Sequence, residues 1–98
     1  MQIERMLVLS TCHIEENTAK ALNNKEFEKL TIEVRETGYL INTVMLQESG
    51  NTNDRVDISN YPKGLNACIK MAQENNCEWI LLDCDGPVED ELLPVYEW

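Results

Sequence analysis

Two short stretches of the chain combine residue types that can do chemistry. The first is Asp83-Cys84-Asp85-Gly86, which directly follows the apolar run 79–82. Two carboxylates on one turn can hold a hard divalent cation, and a carboxylate can also act as a nucleophile. The second is Cys12-His13, which follows the apolar run 6–9 and pairs a thiol with the one histidine of the chain.

The Asp-Cys-Asp-Gly stretch is similar to the first motif of haloacid-dehalogenase-type phosphatases. That resemblance implies a nucleophilic first Asp, an acid/base second Asp and magnesium. Only twelve residues follow Gly86, too few for the long downstream part that such enzymes need, so we do not expect phosphatase activity. The simpler interpretation is a cap, in which the Asp side chains accept hydrogen bonds from nearby backbone N–H groups at the end of a strand.

Cys12 and His13 are weak candidates for a nucleophile and its base, because neighbours in sequence usually point apart. If the strands that precede the two stretches are adjacent, their ends meet at one edge of a sheet, where ligands of α/β proteins commonly bind. A small-molecule or divalent-metal site would then use Thr11, His13, Asp83 and Asp85. The alternative for His13 is a hydrogen-bonded turn residue.

The four cysteines (Cys12, Cys68, Cys77 and Cys84) do not indicate a metal site or a disulfide framework. They include no Cys-x-x-Cys pair, and structural zinc usually takes ligands in close pairs. We therefore predict small buried thiols, with no structural metal and no cofactor.

The elements that must position these residues follow from hydrophobic periodicity. The pattern predicts one α/β (α+β) domain over 1–98, with a mixed sheet of about four strands and two helices in the order β-α-β-β-α-β. The predicted elements are strand 5–10, helix 15–23, strand 30–36, strand 39–46 as its hairpin partner, helix 62–75 and strand 79–82. The apolar runs suggest buried central strands at 5–10 and 79–82. The best helix is 62–75, where Leu65, Cys68, Ile69 and Ala72 recur at i, i+3, i+4 and i+7.

Two segments fall outside this pattern. Residues 47–60 are polar and predict a solvated loop, a candidate for mobility, with little that could enter a core. The end of the chain, 92–98, is apolar, and we expect it to pack back on the domain. If Tyr96 and Trp98 do not fold back, the same residues would favour a homodimer.

Charge separates the possible partners. The chain has 18 acidic and 8 basic residues, a net charge of −10, and no basic residue follows Lys70. This balance argues against direct binding of nucleic acid or of an anionic membrane, since both require clustered Lys and Arg. The predicted partner is a protein with a basic surface, and the predicted contacts are Asp83, Asp85, Glu89, Asp90 and Glu91. The alternative is a solvated face that only maintains solubility.

The longest apolar run near the start, 6–9, is too short for a membrane span or a signal-peptide core. We therefore expect a cytoplasmic protein.

Several stretches of the chain are similar to a set of short bacterial, plasmid and phage proteins that form a domain of unknown function. The stretches are 6–14 (MLVLSTCHI), 38–41 (GYLI), 65–68 (LNAC), 77–86 (CEWILLDCDG) and 93–98 (LPVYEW). The resemblance implies ancestry in a mobile genetic element and supplies no established activity. The chain departs from it at Glu15, where these relatives tend to have a Thr or Ser helix cap.

Together these observations favour a non-enzymatic, acidic interaction protein of a mobile element. Occupation of a nucleic-acid-binding groove, as in mimicry or counter-defence, is the form suggested by association with such elements. The alternative function is the ligand or metal site at the strand ends.

Overall fold

The computed structural model describes residues 1–27, 30–44, 46–47 and 56–98 of the chain. Its elements are β1 (Met6–Ser10), a 3-10 helix (Thr11–His13), α1 (Glu16–Asn23), β2 (Ile32–Arg35), β3 (Gly38–Asn42), β4 (Leu46–Gln47), β5 (Val56–Asp57), α2 (Lys63–Glu74) and β6 (Trp79–Asp83). The predicted α+β class, the mixed four-stranded sheet and the two helices are confirmed.

The main sheet has the strand order β1-β6-β3-β2. β1 runs parallel to β6, with Ser10 opposite Asp83. β3 pairs antiparallel with β6 and with β2, so β2 and β3 form the predicted hairpin. The parallel pair places the carboxyl ends of β1 and β6 at the same edge of the sheet.

Both helices contribute to a single core on one face of this sheet. Because side chains alternate along a strand, the buried residues Leu9, Ile41, Ile80 and Leu82 share that face. The predicted apolar stripe of α2 is confirmed, since Leu65, Cys68, Ile69 and Ala72 are all fully buried. The alternate strand positions form the other face, where Val8, Leu40 and Leu81 lie side by side and are exposed or half-buried.

The prediction that 5–10 is a central strand was wrong. Among the strands of the described residues, β1 forms one edge of the sheet and has β6 as its neighbour. Its residues Met6 and Val8 are exposed, whereas β6 lies between two strands as predicted. Two apolar runs of similar composition thus occupy different positions, because the pairing depends on the connections and not on the run itself.

The strand predicted over 39–46 ends at Asn42. There the chain turns: the Asn42 side-chain oxygen accepts a hydrogen bond from the Val44 N–H, and the buried Thr43 hydroxyl donates to the Cys77 carbonyl at 2.8 Å. Leu46 belongs instead to β4, which pairs in parallel with β5 in a separate two-stranded sheet.

The segment 47–60 is only partly the solvated loop that was predicted. Ile58 is fully buried in the core, which contradicts the expectation that the segment supplies little to it. Asp57 accepts a hydrogen bond from the Ser59 N–H at 2.9 Å, and this bond lowers the pKa of Asp57. The prediction of mobility concerns mainly 48–55, which lie outside the described residues.

Candidate functional site

The candidate site begins with a turn capped by Asp83. One Asp83 carboxylate oxygen accepts the Asp85 N–H at 2.8 Å, and the other accepts the Thr37 hydroxyl at 3.2 Å. The Cys84 N–H donates to the Thr37 carbonyl at 2.9 Å, which ties the turn to the β2–β3 hairpin. Asp83 is therefore the strand-end cap that the sequence predicted, and Asp85 is exposed beside it.

His13 has a structural environment that the sequence left open. The side chain is fully buried; its Nε2 accepts the Glu89 N–H at 2.9 Å, and its Nδ1 lies 2.7 Å from the Pro94 carbonyl. A backbone N–H can only donate and a carbonyl can only accept. His13 is consequently neutral, with its proton on Nδ1, and both ring nitrogens are already bonded.

These contacts separate the four residues of the predicted ligand site. Asp83 and Asp85 lie together, and with Cys84 they offer ligand atoms within 4.8 Å of one another. His13 is not part of that group and directs its ring nitrogens to the end of the chain. Thr11 begins the 3-10 helix, and its carbonyl accepts the Ile14 N–H.

Residues 86–98, here called the C-terminal tail, fold back on the segment 10–15 as the sequence predicted. The Ser10 N–H donates to Pro87 and the Tyr96 N–H to Cys12, both at 2.8 Å. The Trp98 indole N–H donates to the Ile14 carbonyl at 2.9 Å, and Leu93 is buried in the core. The homodimer hypothesis required that Tyr96 and Trp98 do not fold back on the domain. Because they do fold back, that requirement is not met.

The tail presents Glu89, Asp90 and Glu91, here called the acidic turn, at the surface. All three are exposed, and the Leu92 and Leu93 N–H groups donate to the Glu89 carbonyl. Within the described part of the chain, Arg35 and Glu33 form an ion pair, with 3.6 Å between the guanidinium nitrogen and the carboxylate oxygen. Neither the acidic turn nor Asp83 and Asp85 takes part in an ion pair within that part of the chain.

A second cluster, which the sequence did not reveal, lies beneath the end of the tail. Glu15 precedes α1 but makes no side-chain cap; its carboxylate accepts the Thr18 hydroxyl at 3.4 Å and lies beside Tyr96. Burial, followed by the charge of Glu15 and a hydrogen bond to it, raises the pKa of Tyr96. A glutamate in the position of a helix cap was the only available signal.

The thiols are free and fall into different environments. Cys68 and Cys77 are buried, as predicted for all four, but Cys84 is exposed and Cys12 is half-buried. Burial, with smaller contributions from Cys12 and Glu15, raises the pKa of Cys68 to about 12. Since the thiolate is the reactive form, Cys68 is not a nucleophile at neutral pH.

A wide, open surface groove of about 520 Å³ lies away from all the predicted residues, between the end of β3 and the end of α2. The Gln73 amide there donates to the Thr43 and Leu46 carbonyls at 3.2 and 2.6 Å. Its wall is thus held together by internal hydrogen bonds.

The fold and the site define a small acidic α+β domain whose tail is fastened across the ends of two parallel strands. The chain belongs to a family of unknown function (DUF5983): residues 6–98 match the model of its C-terminal domain. This confirms the resemblance to an uncharacterised domain. No curated protein and no solved structure matched the chain. Within the described residues, every helix is too short or too polar to span a bilayer.

Proposed function

We propose that this protein is a non-enzymatic, acidic interaction protein that binds a basic surface of another protein. The observation that carries the proposal is the acidic turn, three exposed carboxylates held on a folded tail and without ion-pair partners among the described residues. Asp85, on the neighbouring turn, adds a fourth exposed carboxylate. Asp83 contributes charge, although one of its oxygens is bonded within the turn and the other is bonded to the Thr37 hydroxyl.

Charge beyond the turn supports the same interpretation. Residues 71–98 contain eight acidic residues and no basic one. A one-sign field of this kind attracts an oppositely charged surface and accelerates its association, in a manner that weakens as salt is added. Proteins that bind nucleic acid commonly carry such basic surfaces.

The biological setting forms part of the proposal. The resemblance to phage and plasmid proteins suggests a cytoplasmic protein of a mobile element, which would counteract a host protein by occupying its nucleic-acid groove. This step rests on association with such elements and not on the geometry.

The test is a pull-down from native cell lysate with the tagged protein, washed at low and moderate salt and analysed by mass spectrometry. We expect a basic, nucleic-acid-handling protein that is lost as salt rises. The triple variant E89K/D90K/E91K should lose it. The matched control, E4K/E16K/E36K, makes the same change in net charge at exposed positions elsewhere and should retain it.

Circular dichroism of both variants shows whether they remain folded. Retention of the partner by a folded E89K/D90K/E91K variant would contradict the proposal. If the pull-down recovers no partner that is lost as salt rises, we would conclude that the acidic tail serves only to keep the protein soluble.

A second candidate function is cation binding at Asp83, Cys84 and Asp85, favoured by the proximity of their ligand atoms. Hard cations prefer several oxygen ligands, and Asp85 is the one carboxylate of the pair that is not already bonded in the turn. This site would not include His13.

A cation that binds only the folded state must raise the melting temperature. We would measure thermal unfolding with magnesium and with manganese, for the wild type, D85N and the control E97Q. Cation binding at the turn predicts a rise that D85N abolishes and E97Q retains. An unchanged melting temperature in the wild type would exclude this second function.

A further inference from the structure

The neutral state of His13 is required by the hydrogen bonds that hold the tail. Nε2 must be unprotonated to accept the Glu89 N–H, and Nδ1 must carry the proton to donate to Pro94. The bond to Glu89 spans 76 positions of the chain and holds the first residue of the acidic turn, and the bond to Pro94 spans 81 positions and holds the chain just after that turn. One buried imidazole thus fastens both ends of this part of the tail.

Protonation of His13 is incompatible with this arrangement. A proton on Nε2 would face the Glu89 N–H, so two donors would meet in a site without solvent exposure, and the cost of an unsatisfied buried donor is considerable. The Pro94 bond can survive protonation, whereas the Glu89 bond cannot. The weak point is therefore the start of the acidic turn.

The titratable groups around His13 lie on the 3-10 helix, before α1, on α2 and on the tail. They are Cys12 on the 3-10 helix, Glu15 before α1, Cys68 on α2, and Glu89 and Tyr96 on the tail. Cys68 and Tyr96 stay neutral well above neutral pH, because the pKa of each is raised. Among the described residues no carboxylate bonds either ring nitrogen, so a proton on Nε2 would meet the Glu89 N–H and no acceptor.

We infer that His13 is an acid-sensitive latch, which holds the acidic turn in place when neutral and releases it when protonated. The domain beneath need not unfold, because the sheet and α2 are held by their own core. Release would free Glu89–Glu91 from their fixed position and expose Leu93. This inference concerns the free protein and does not depend on the partner proposed above.

Hydrogen exchange followed by NMR tests the latch directly. The amides of Glu89 and Tyr96 report on the tail, and those of α2 and β6 report on the domain. Between about pH 7.5 and about pH 5, after correction for intrinsic exchange, we expect tail protection to fall roughly 5- to 100-fold, the range for loss of one buried bond. Protection of α2 and β6 should change much less.

The same samples identify the cause, because the chain contains a single histidine. The imidazole ¹⁵N signals should show a neutral ring protonated on Nδ1 at the higher pH and an imidazolium at the lower, with the same midpoint as the loss of tail protection. In H13Q, whose side chain does not titrate, tail protection should not depend on pH over this range. If H13Q does not fold, the agreement of the two midpoints in the wild type remains the test.

Three results would overturn the latch. The first is an imidazolium that forms while the Glu89 and Tyr96 amides stay protected. The second is a tail that loses protection over the same range in folded H13Q. The third is an imidazole that stays neutral until the whole domain unfolds.

Discussion

At the scale of single residues, Glu15 and Tyr96 show how a local rule gives way to a long-range contact. Glu15 occupies the N-cap position of α1, where Ser, Thr, Asp or Asn usually satisfies a free N–H. Its side chain makes no such bond and lies beside Tyr96, near the other end of the chain. The carboxylate therefore helps to hold the tail instead of capping the helix.

The variant Y96F tests this contact. Loss of the hydroxyl should destabilise the protein by about 0.5–1.5 kcal/mol, the usual range for one hydrogen bond, measured as free energy of unfolding in urea at neutral pH. E15Q keeps an acceptor oxygen and should cost less. Equal stability of Y96F and the wild type would show that the contact contributes nothing.

The same variant predicts a change in pH dependence. The pKa of Tyr96 is raised in the folded state above its unfolded value of about 10. The associated stability is present below pH ~10 and is lost as pH rises through the folded pKa. In alkaline titrations Y96F should lose less stability than the wild type, and Tyr61, whose pKa burial also raises, should account for part of the loss that remains.

At the scale of elements, the packing of α2 against the 3-10 helix depends on one missing side chain. Gly64 is buried in the first turn of α2, and a Cβ there would overlap the His13 carbonyl oxygen and lie 2.7 Å from a Glu15 carboxylate oxygen. Periodicity predicted α2 within one residue at each end. The periodicity of α2 contained no signal for the close approach of Gly64 to His13 and Glu15, because these residues lie about 50 positions earlier in the chain.

The variant G64A separates helix propensity from this contact by the sign of its effect. Propensity alone would stabilise α2 by up to about 1 kcal/mol, since alanine is the better helix former. The overlap with the His13 backbone should outweigh this gain and destabilise the protein by about 1–3 kcal/mol. The free energy of unfolding in urea shows whether G64A is more or less stable than the wild type. The control is K63A, at an exposed position of the same turn. A G64A variant more stable than the wild type would contradict the described packing.

At the scale of the whole molecule, the net charge of −10 opposes the compact state. Like charges repel one another more strongly when the chain is folded, and added salt screens this repulsion. We expect the melting temperature to rise by several degrees when sodium chloride increases from about 0.05 to about 0.5 M. The neutralised variant E89Q/D90N/E91Q should show a smaller rise, and a melting temperature that falls with salt would contradict this account.

The sequence alone determined what depends on local pattern. The helix at 62–75 and the hairpin near 32–42 follow from periods of 3.6 and 2, which one buried face imposes on its own residues, and the strand predicted at 79–82 follows from an apolar run. The Asp83 cap could also be predicted, because its N–H partner lies two residues away. The acidic character of the end of the chain is a matter of composition and needs no structure.

The tertiary structure decided what depends on contacts between distant segments. The edge position of β1, the end of β3 at Asn42, the entry of Ile58 into the core and the tautomer of His13 each follow from such contacts. His13 is the clearest case: its neighbours in the chain allowed either a ligand or a turn residue, and the Glu89 and Pro94 backbone selected one protonation state. A side chain's role in a site is set by the groups that face it, and for His13 those groups are brought there only by folding.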